Sequence, residues 1–538
     1  MTELQPTRRR VRHPWRVAAV IAGAAIVAIV VAIAAVVPLT SEAARVRLIQ
    51  VLSDRLDGEV ELRELHLRTF PSLRAEGWGL AVRHRGRHDV PPLISIEHFA
   101  AEGTFGGLLK RHVALVTLDG LDIEIPPDRN RSVDKGDEET GTAERRPDEP
   151  SRGGAARTLV IDELKSVGAK LAIIPAEAGK GPKVWNIHDL HMTSVSLDRA
   201  MPFEATLTNA VPPGDIVTRG SFGPWQSPEP GATPLEGKFT FDHADLSVFK
   251  GISGILSSHG TFGGRLSRID VHGDTETPMF EVKAGGHPVP LRAKYHAVVD
   301  GTNGNTLLEQ IDASFLQTSI VAKGGVVGTP GKEGRTTTLN VVIDKGRLED
   351  VLKLAVKADA PMTGALRLMT SFVLPPGDVD VIKKLRLNGR FAIADGRFKN
   401  VDVQGKINEL SQRSQGQNTQ QAARQVSSKF TGAFRLGDGR LTIPEVTFDV
   451  PGAGVRLAGT YDLVPETLNF KGTLFLDVKV SQTVTGFKSV LLKIVDPFFK
   501  REGGGSAIPI KISGQRDKPS FGLDRGRVFS RNDPNDKR

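Results

Sequence analysis

Two histidines, His188 and His191, have a spacing that could bind a metal ion. On a helix, residues three apart lie on one face, so both imidazoles could bind the same ion. The residues around them alternate as in a strand, where positions i and i+3 point to opposite faces. We therefore predict that this pair binds no metal. The other histidines are scattered singly.

A glycine-rich stretch, Gly325–Lys332, resembles a phosphate-binding loop but does not have its spacing. The first glycine of that motif would fall on Val326. Glu333 occupies the place of the serine or threonine that would bind magnesium. We interpret the stretch as a turn between two strands.

The sequence contains none of the enzyme signatures that we sought. It has no cysteine, which excludes thiol nucleophiles and thiolate metal sites. The patterns G-x-S-x-G, H-E-x-x-H and the EF-hand loop do not occur. We assign no catalytic, metal-binding or cofactor-binding residue, and we predict that the protein is not an enzyme and has no cofactor.

Almost half of the net positive charge lies at the N-terminus. The 538 residues carry a net charge of +9, and residues 1–16 contribute +4 through five arginines and Glu3. The remaining +5 is spread over a long chain without a basic stripe. This distribution argues against a nucleic-acid partner.

Residues Val17–Val37 form an apolar run of 21 residues without a charge. As a helix, such a run spans the roughly 30 Å hydrocarbon core of a bilayer. The arginines before it place the N-terminus in the cytoplasm and residues 38–538 on the other side. The alternative is a cleaved signal peptide with Ser41-Glu42-Ala43 as its site, although signal peptides usually have apolar runs of only about 7–15 residues. We predict a single-pass anchor.

A short amphipathic helix is predicted next, over Ser41–Leu56, ending at Asp57-Gly58. Its predicted apolar stripe is Val46, Ile49, Leu52 and Leu56.

The alternation of apolar and polar residues predicts short strands over most of the remaining chain. The predicted strands are Val60–Leu67, Leu80–His84, Leu93–Ala101, Val113–Leu118, Leu121–Ile125, Lys238–Phe241, Leu291–Val299, Leu339–Ile343, Leu366–Leu374, Phe430–Leu436, Val455–Leu463 and Ile508–Ile512. Asp128–Arg157 is charged and almost without branched aliphatic residues, which predicts a disordered linker or long exposed loop. Gln412–Ser428 is predicted as a polar helix or loop between strands.

The clearest strand is Thr467–Ser481, where apolar and polar residues alternate. Its apolar residues are Leu468, Phe470, Leu474, Leu476, Val478 and Val480. A repeat at an offset of 43 residues aligns Leu387–Phe398 with Phe430–Leu441 and brings two Asp-Gly-Arg sequences, at 395–397 and 438–440, into register. Asp-Gly between alternating runs predicts a hairpin turn at each place.

One late amphipathic helix is predicted over residues 483–500. It is interpreted as a lid on the end of the sheet, with a membrane-surface helix and a partner-binding helix as alternatives. The residues that would make this contact are Phe487, Val490, Leu491, Ile494, Phe498 and Phe499.

Few predicted helices are available to cover the apolar sides of so many strands. A closed barrel, a series of sandwiches, and an open curved sheet that holds a ligand all satisfy the pattern. The periodicity alone does not choose among them.

The order of several short motifs resembles the AsmA family of Gram-negative envelope proteins. Near the N-terminus the motifs are the Arg-rich tail with its anchor, Arg45–Val60, Pro92–Ile96, Gly107-Leu108-Leu109 and Val116–Ile123. Towards the C-terminus they are Val450–Ala453, Leu457–Leu463, Phe470–Leu474, Ser481–Ser489, Val495–Phe499, Gly503–Gly505, Ile508–Gly514 and Lys518–Phe521. The charged Asp128–Arg157 insert departs from a continuous sheet.

The resemblance implies a mainly β protein: after a single N-terminal transmembrane helix and a short helix, a long twisted antiparallel sheet rolls into an open groove, and a C-terminal amphipathic helix follows. It also implies a relation to TamB-type lipid carriers, anchorage in the inner membrane and a periplasmic bulk. The groove candidates are Leu468, Phe470, Leu474, Leu476, Val478, Val480, Val455, Leu457, Tyr461, Ile508, Ile510 and Ile512.

Two functions are compatible with this resemblance. In the first, the groove holds or transfers phospholipid or lipopolysaccharide-type lipid for outer-membrane biogenesis. In the second, a self-filled sheet negatively modulates the targeting and assembly of outer-membrane proteins, with the outer membrane or its assembly machinery as partner. 

We divide the chain into a cytoplasmic basic tail, an anchor, an N-terminal AsmA-like module, a charged linker, a repetitive β-groove, an amphipathic helix, terminal strands and a disordered tail. In the same order, these are residues 1–16, 17–37, 41–127, 128–157, 158–482, 483–500, 501–525 and 526–538.

Overall fold

The computed structural model describes residues 41–56, 58–69, 72–84, 92–125, 159–173, 182–226, 229–283, 285–328, 334–357, 359–360, 362–398, 429–450, 453–476, 506–516 and 518–524. The predicted anchor, the charged linker, the polar segment 412–428 and the late helix 483–500 lie outside these ranges. Within them, no helix is long and apolar enough to cross a membrane.

The described chain is mainly β. Its helices are α1 (Ser41–Leu56), α2 (Phe105–Leu109), α3 (Leu348–Ala355) and α4 (Val381–Lys384). The first strands are β1 (Gly58–Arg68), β2 (Leu73–His84), β3 (Ile94–Gly103), β4 (His112–Ile125), β5 (Val160–Ile173), β6 (Lys183–Val195), β7 (Met201–Thr208), β8 (Asp215–Phe222), β9 (Pro234–Asp245), β10 (Ile252–Ser253), β11 (Ile255–Arg265) and β12 (Arg268–Val282). The others are β13 (Val289–Val299), β14 (Thr306–Phe315), β15 (Thr318–Gly328), β16 (Arg335–Arg347), β17 (Met362–Leu374), β18 (Arg386–Phe398), β19 (Lys429–Gly437), β20 (Arg440–Val450), β21 (Ala453–Asp462), β22 (Thr467–Leu476), β23 (Ser506–Gln515) and β24 (Lys518–Leu523).

These strands belong to one long open sheet of 24 strands. From β1 to β9 each strand pairs with the next in the chain, and the same holds from β14 to β24. The described residues form two compact units: the first contains those within 41–244, 258–271 and 299–304, and the second contains those within 245–257, 272–298 and 305–524.

The predicted charged linker does not interrupt the sheet. β4 and β5, the strands on either side of it, pair directly over their whole length, from His112 opposite Val160 to Ile125 opposite Ile173. This pair is parallel, whereas the other pairs of consecutive strands from β1 to β9 are antiparallel. The residues before and after the linker therefore share one ladder of hydrogen bonds.

Three glycines lie at one level of the first unit's sheet, in β2, β4 and β5. Gly79, Gly120 and Gly168 have φ values of 66°, 62° and 68°, which glycine adopts most easily. At this level the buried positions shift by one residue: in β4, Val116 and Leu118 are buried before it, and Leu121 and Ile123 after it. The predicted strands Val113–Leu118 and Leu121–Ile125 are therefore wrong as separate strands, because the shift lies within one strand.

Helix α1 packs against the sheet of the first unit through residues spaced four apart. Ala44, Leu48 and Leu52 are buried, and the guanidinium of Arg45 donates to the Leu62 carbonyl oxygen at 2.8 Å. The predicted stripe is correct at Leu52 and partly at Ile49, which packs on the edge of the same core. It is wrong at Val46, which is 46% exposed, since the small Ala44 marks the face that approaches the sheet.

The two predicted Asp-Gly hairpins differ in outcome. Asp438 and Gly439 both have positive φ and form the two-residue turn between β19 and β20, which confirms that prediction. The prediction at 395–397 is wrong, because Asp395 lies inside β18. Its φ of 54° accompanies a shift in the pairing of β18 with β17, which is a β-bulge. The Asp-Gly-Arg sequence therefore accompanies a bulge at 395–397 and a turn at 438–440.

Candidate functional site

One face of the second unit is apolar across the eleven strands from β14 to β24. Residues opposite each other in an antiparallel pair share a face, and the pairing aligns Leu339 with Phe372, Phe372 with Leu387, and Leu387 with Leu436. The residues of this face, here called the apolar face, include Leu308, Ile311, Phe315, Ile320, Ala322, Val326, Leu339, Val341, Ile343, Leu366, Leu368, Phe372, Leu387, Phe391, Ile393, Phe430, Phe434, Leu436, Leu441, Ile443, Val446, Phe448, Val455, Leu457, Tyr461, Leu468, Phe470, Leu474, Ile510 and Ile512.

Every side chain of the apolar face is buried or half-buried, whereas its neighbours on the other face, such as Arg367, Arg390 and Lys471, are exposed. The described helices do not form a second layer over this face. In α3, Asp350 accepts hydrogen bonds from the Gln317 amide and the Thr318 hydroxyl, which ties the helix to the turn between β14 and β15. α4 has only four residues.

The structure brings eight of the predicted groove residues together on the apolar face: Val455, Leu457, Tyr461, Leu468, Phe470, Leu474, Ile510 and Ile512. The backbone positions of Leu476 and Ile508 continue the same alternation, but their side chains lie outside the described part of the chain. Val478, Val480 and the six predicted contact residues of the late helix also lie outside it.

The apolar face extends well beyond the predicted residues, to the aromatic side chains of β17–β20. Phe391 and Phe434 have ring centroids 6.3 Å apart, and Phe430 and Phe448 stack at 4.3 Å. Their alternation was visible in the sequence, but a β-bulge at Pro444 shifts it. The pairing with β21 advances three residues in β20, from Ile443 to Val446, against two in β21.

The 43-residue repeat becomes a pair of adjacent strands in which glycines and phenylalanines alternate positions. Gly389 lies opposite Phe434, and Phe391 lies opposite Gly432. A Cβ atom added to Gly432 would lie 2.9 Å from the Phe391 ring, so the ring occupies the space that a side chain would fill. The repeat therefore produces reciprocal packing between neighbouring strands.

Charges lie at the strand ends bordering the apolar face. The Arg440 guanidinium hydrogen bonds to Asp462 at 2.5 Å and lowers the pKa of that carboxyl. Beside it, burial raises the pKa of the Tyr461 phenol, and the Glu466 carboxylate raises it further. The phenol is thus in a less polar environment than water, and Tyr461 is half-buried.

His188 and His191, for which we predicted no metal binding, have different hydrogen-bond partners. A ring nitrogen of His188 is 2.8 Å from the Thr208 hydroxyl, and one of His191 is 2.9 Å from the Glu163 carboxylate. His191 also lines an open cavity of about 740 Å³ in the first unit, with Glu204, Arg219 and other residues. Within the described residues, no three His, Asp or Glu side chains are grouped so as to hold a metal ion.

Comparison with known proteins gives no match for this chain among protein-family models, curated proteins or solved structures.

Proposed function

We propose that this chain is an inner-membrane-anchored, periplasmic AsmA-like protein that holds or transfers phospholipid or lipopolysaccharide-type lipid along the apolar face. The observation that carries the proposal is the continuity of that face over β14–β24 without a described layer to cover it. Acyl chains would supply the missing layer, gaining about 0.8 kcal/mol for each buried CH₂.

A hydrogen bond between distant loops supports a rolled sheet in the second unit. The Val381 amide, in α4, donates to the Lys250 carbonyl oxygen at 3.0 Å. Lys250 precedes β10, which pairs with β12, whereas α4 follows β17. In a flat sheet β12 and β17 would be five strand spacings apart, or about 24 Å. A sheet that curves with its apolar face inward brings these loops together and half-buries the face, as an open groove does.

The groove acts without catalysis in this proposal. Its role is to keep acyl chains away from water while the polar headgroup stays at the open side. Val17–Val37 would anchor the protein in the inner membrane, and the predicted late helix over 483–500 would lie near the end of the groove as a lid or at a membrane surface.

The test is lipid retention by the full-length protein purified in detergent-free nanodiscs. Leu474→Asp places a carboxylate on the apolar face and should reduce the lipid that crosslinks to peptides of β14–β24 from a diazirine phospholipid by at least several-fold. Thr473→Asp, the matched control, introduces the same charge one residue away on the other face of β22 and should leave crosslinking unchanged.

Equal crosslinking of both variants and the parent protein would contradict the lipid groove. Absence of crosslinking to β14–β24 even in the parent protein would favour the second function, a self-filled protein that modulates outer-membrane protein assembly.

A further inference from the structure

The first unit carries exposed apolar side chains at one end of its strands. Helix α2, the short connection between β3 and β4, presents Phe105 at 56% and Leu109 at 89% exposure. Leu197, in the turn after β6, is exposed as well. The pairing directions place the C-terminal ends of β1, β3 and β6 at the same end of the sheet's strands. We call this end of the sheet the α2 end.

Positive charge accompanies these apolar side chains. Arg68 at the end of β1 and Lys110 directly after α2 are exposed and have no acidic partner among the described residues. The acidic groups near the α2 end are already bonded: Asp162 is 2.8 Å from His112, Asp198 is 3.2 Å from Arg199, and Glu102 is 3.0 Å from Arg74. Apolar tips beside unpaired cations match the chemistry of an anionic bilayer surface.

The direction of α1 brings the chain from the same side. α1 ends at Leu56, just before β1 begins at Gly58, and Arg45 bonds to Leu62. The helix therefore runs antiparallel to β1, so its N-terminal end lies towards the α2 end.

The lengths of strand and helix along this path are consistent with that orientation of α1. From Leu62 to Arg68 is six residues of strand, or about 20 Å, and from Arg45 to Ser41 is four residues of helix, or about 6 Å. Ser41 thus lies about 14 Å short of the α2 end, by the difference of these two rises. The three residues between Ser41 and the predicted anchor can extend about 10 Å. A connection of that length would allow the bilayer that holds the predicted anchor to lie level with the α2 end.

We propose that the α2 end dips into the headgroup region of the bilayer that holds the anchor, with Phe105 and Leu109 as its membrane contacts. This inference rests on the anchored placement of the proposed function, but not on the apolar face of the second unit. It gives the first unit a fixed orientation, with its strands standing on the membrane.

The absence of cysteine in the chain makes the test direct, since a single introduced cysteine takes a label at one place. Leu109→Cys is compared with Val217→Cys, which lies in β8 and is 53% exposed. Val217 lies near the start of β8, and the last residue of β8, Phe222, lies at the α2 end. Val217 is therefore away from the α2 end. Each full-length variant is labelled with an environment-sensitive fluorophore in nanodiscs of phosphatidylethanolamine and phosphatidylglycerol.

Quenching by lipids that carry a nitroxide near the headgroup should be several-fold stronger for the label at residue 109 than at 217. Equal quenching at the two positions, weak or strong, would overturn the inference. Failure of the chain to enter the nanodisc would overturn the anchor and this inference together. The lipid crosslinking of Leu474→Asp and Thr473→Asp tests the apolar face separately, so the two failures are distinguishable.

Discussion

At the scale of single residues, the apolar face is built from aromatic and aliphatic side chains that meet glycines on the next strand. Phe470 lies opposite Gly459, where an added Cβ would be 2.7 Å from the ring. Leu457 lies opposite Gly472 in the same strand pair, with an equally close approach of 2.8 Å. These pairs let large side chains lie across the sheet, because glycine leaves their space empty.

The pKa of the Tyr461 phenol depends on the polarity of the apolar face around it. Because burial raises the pKa of its phenol in the folded protein, we expect it to ionise above its ordinary value of 10.0. Its contribution to stability is complete below the pKa of the unfolded chain and is lost as the pH rises through the folded value. The Tyr295→Phe variant leaves Tyr461 as the only tyrosine, so the tyrosinate absorbance measures this group alone.

Bound lipid should raise the pKa of Tyr461 further, since acyl chains exclude more water. The measurement is a pH titration of the Tyr295→Phe protein with and without added phospholipid. A midpoint at or below the ordinary tyrosine value, unchanged by lipid, would place the phenol in water and count against the groove.

At the scale of elements, the two units differ in what covers their strands. In the first unit α1 and the strands share one core, in which Leu48, Leu118 and Phe99 are almost completely buried. In the second unit α3 lies at the turns: a Cβ added to Gly285 would be 2.2 Å from the Leu354 carbonyl oxygen, and His287 bonds to the Lys357 carbonyl. A helix at strand ends stabilises turns, and the described residues place no layer over the face between those turns.

We expect Leu48→Ala to destabilise the first unit by about 2–5 kcal/mol, because it leaves a cavity in a packed core. Val46→Ala, two residues away on the exposed side of α1, should change stability by no more than about 0.5 kcal/mol. Leu48 is 1% exposed and Val46 is 46% exposed, so the pair separates burial from helix propensity. Hydrogen exchange of β1 and β2 amides in each variant provides the measurement, and similar exchange in both variants would contradict the assigned helix face.

At the scale of the whole molecule, the same alternating pattern has two outcomes. The first unit fills its apolar side with its own residues, from Ala44 in α1 to Phe222 in β8. The second unit presents an apolar face that its described residues do not cover. The proposed function therefore confines the groove-bound acyl chains to the second unit.

A diazirine phospholipid added to the full-length protein should label peptides from β14–β24 and leave the core strands β1–β5 unlabelled. The reason is that the buried side chains of the first unit already contact one another, so that acyl chains have no access. Mass spectrometry of the digested protein locates the adducts. Comparable labelling of peptides that contain Leu118 and Leu457 would show that both units admit lipid and would overturn this division.

Much of the fold could be predicted locally, because a strand reveals itself through neighbours two residues apart. This was sufficient for Leu366–Leu374 and Val455–Leu463, which lie within or closely overlap β17 and β21. It failed where one residue changes the phase: at Gly120, which lies within β4, and at Asp395, which lies within β18. A β-bulge is defined by two strands, so a single strand's sequence does not distinguish it from a turn.

The candidate surface was predicted in part, from the regular alternation in Thr467–Ser481. Phe372, Phe391 and Phe434 were not assigned to it, because their membership depends on which strands are neighbours and in what register. One residue of slip would move each of them to the opposite face.

The sequence by itself determined that the chain is mainly strand and that these strands have one apolar side, since both follow from residues close together in the chain. Only the tertiary structure decided that β4 and β5 pair across the charged segment, that the apolar sides of β14–β24 align into one face, and that α1 covers the sheet of the first unit. Those outcomes depend on contacts between residues far apart in sequence. Alternation fixes the side to which a residue points, and long-range pairing fixes what it meets there.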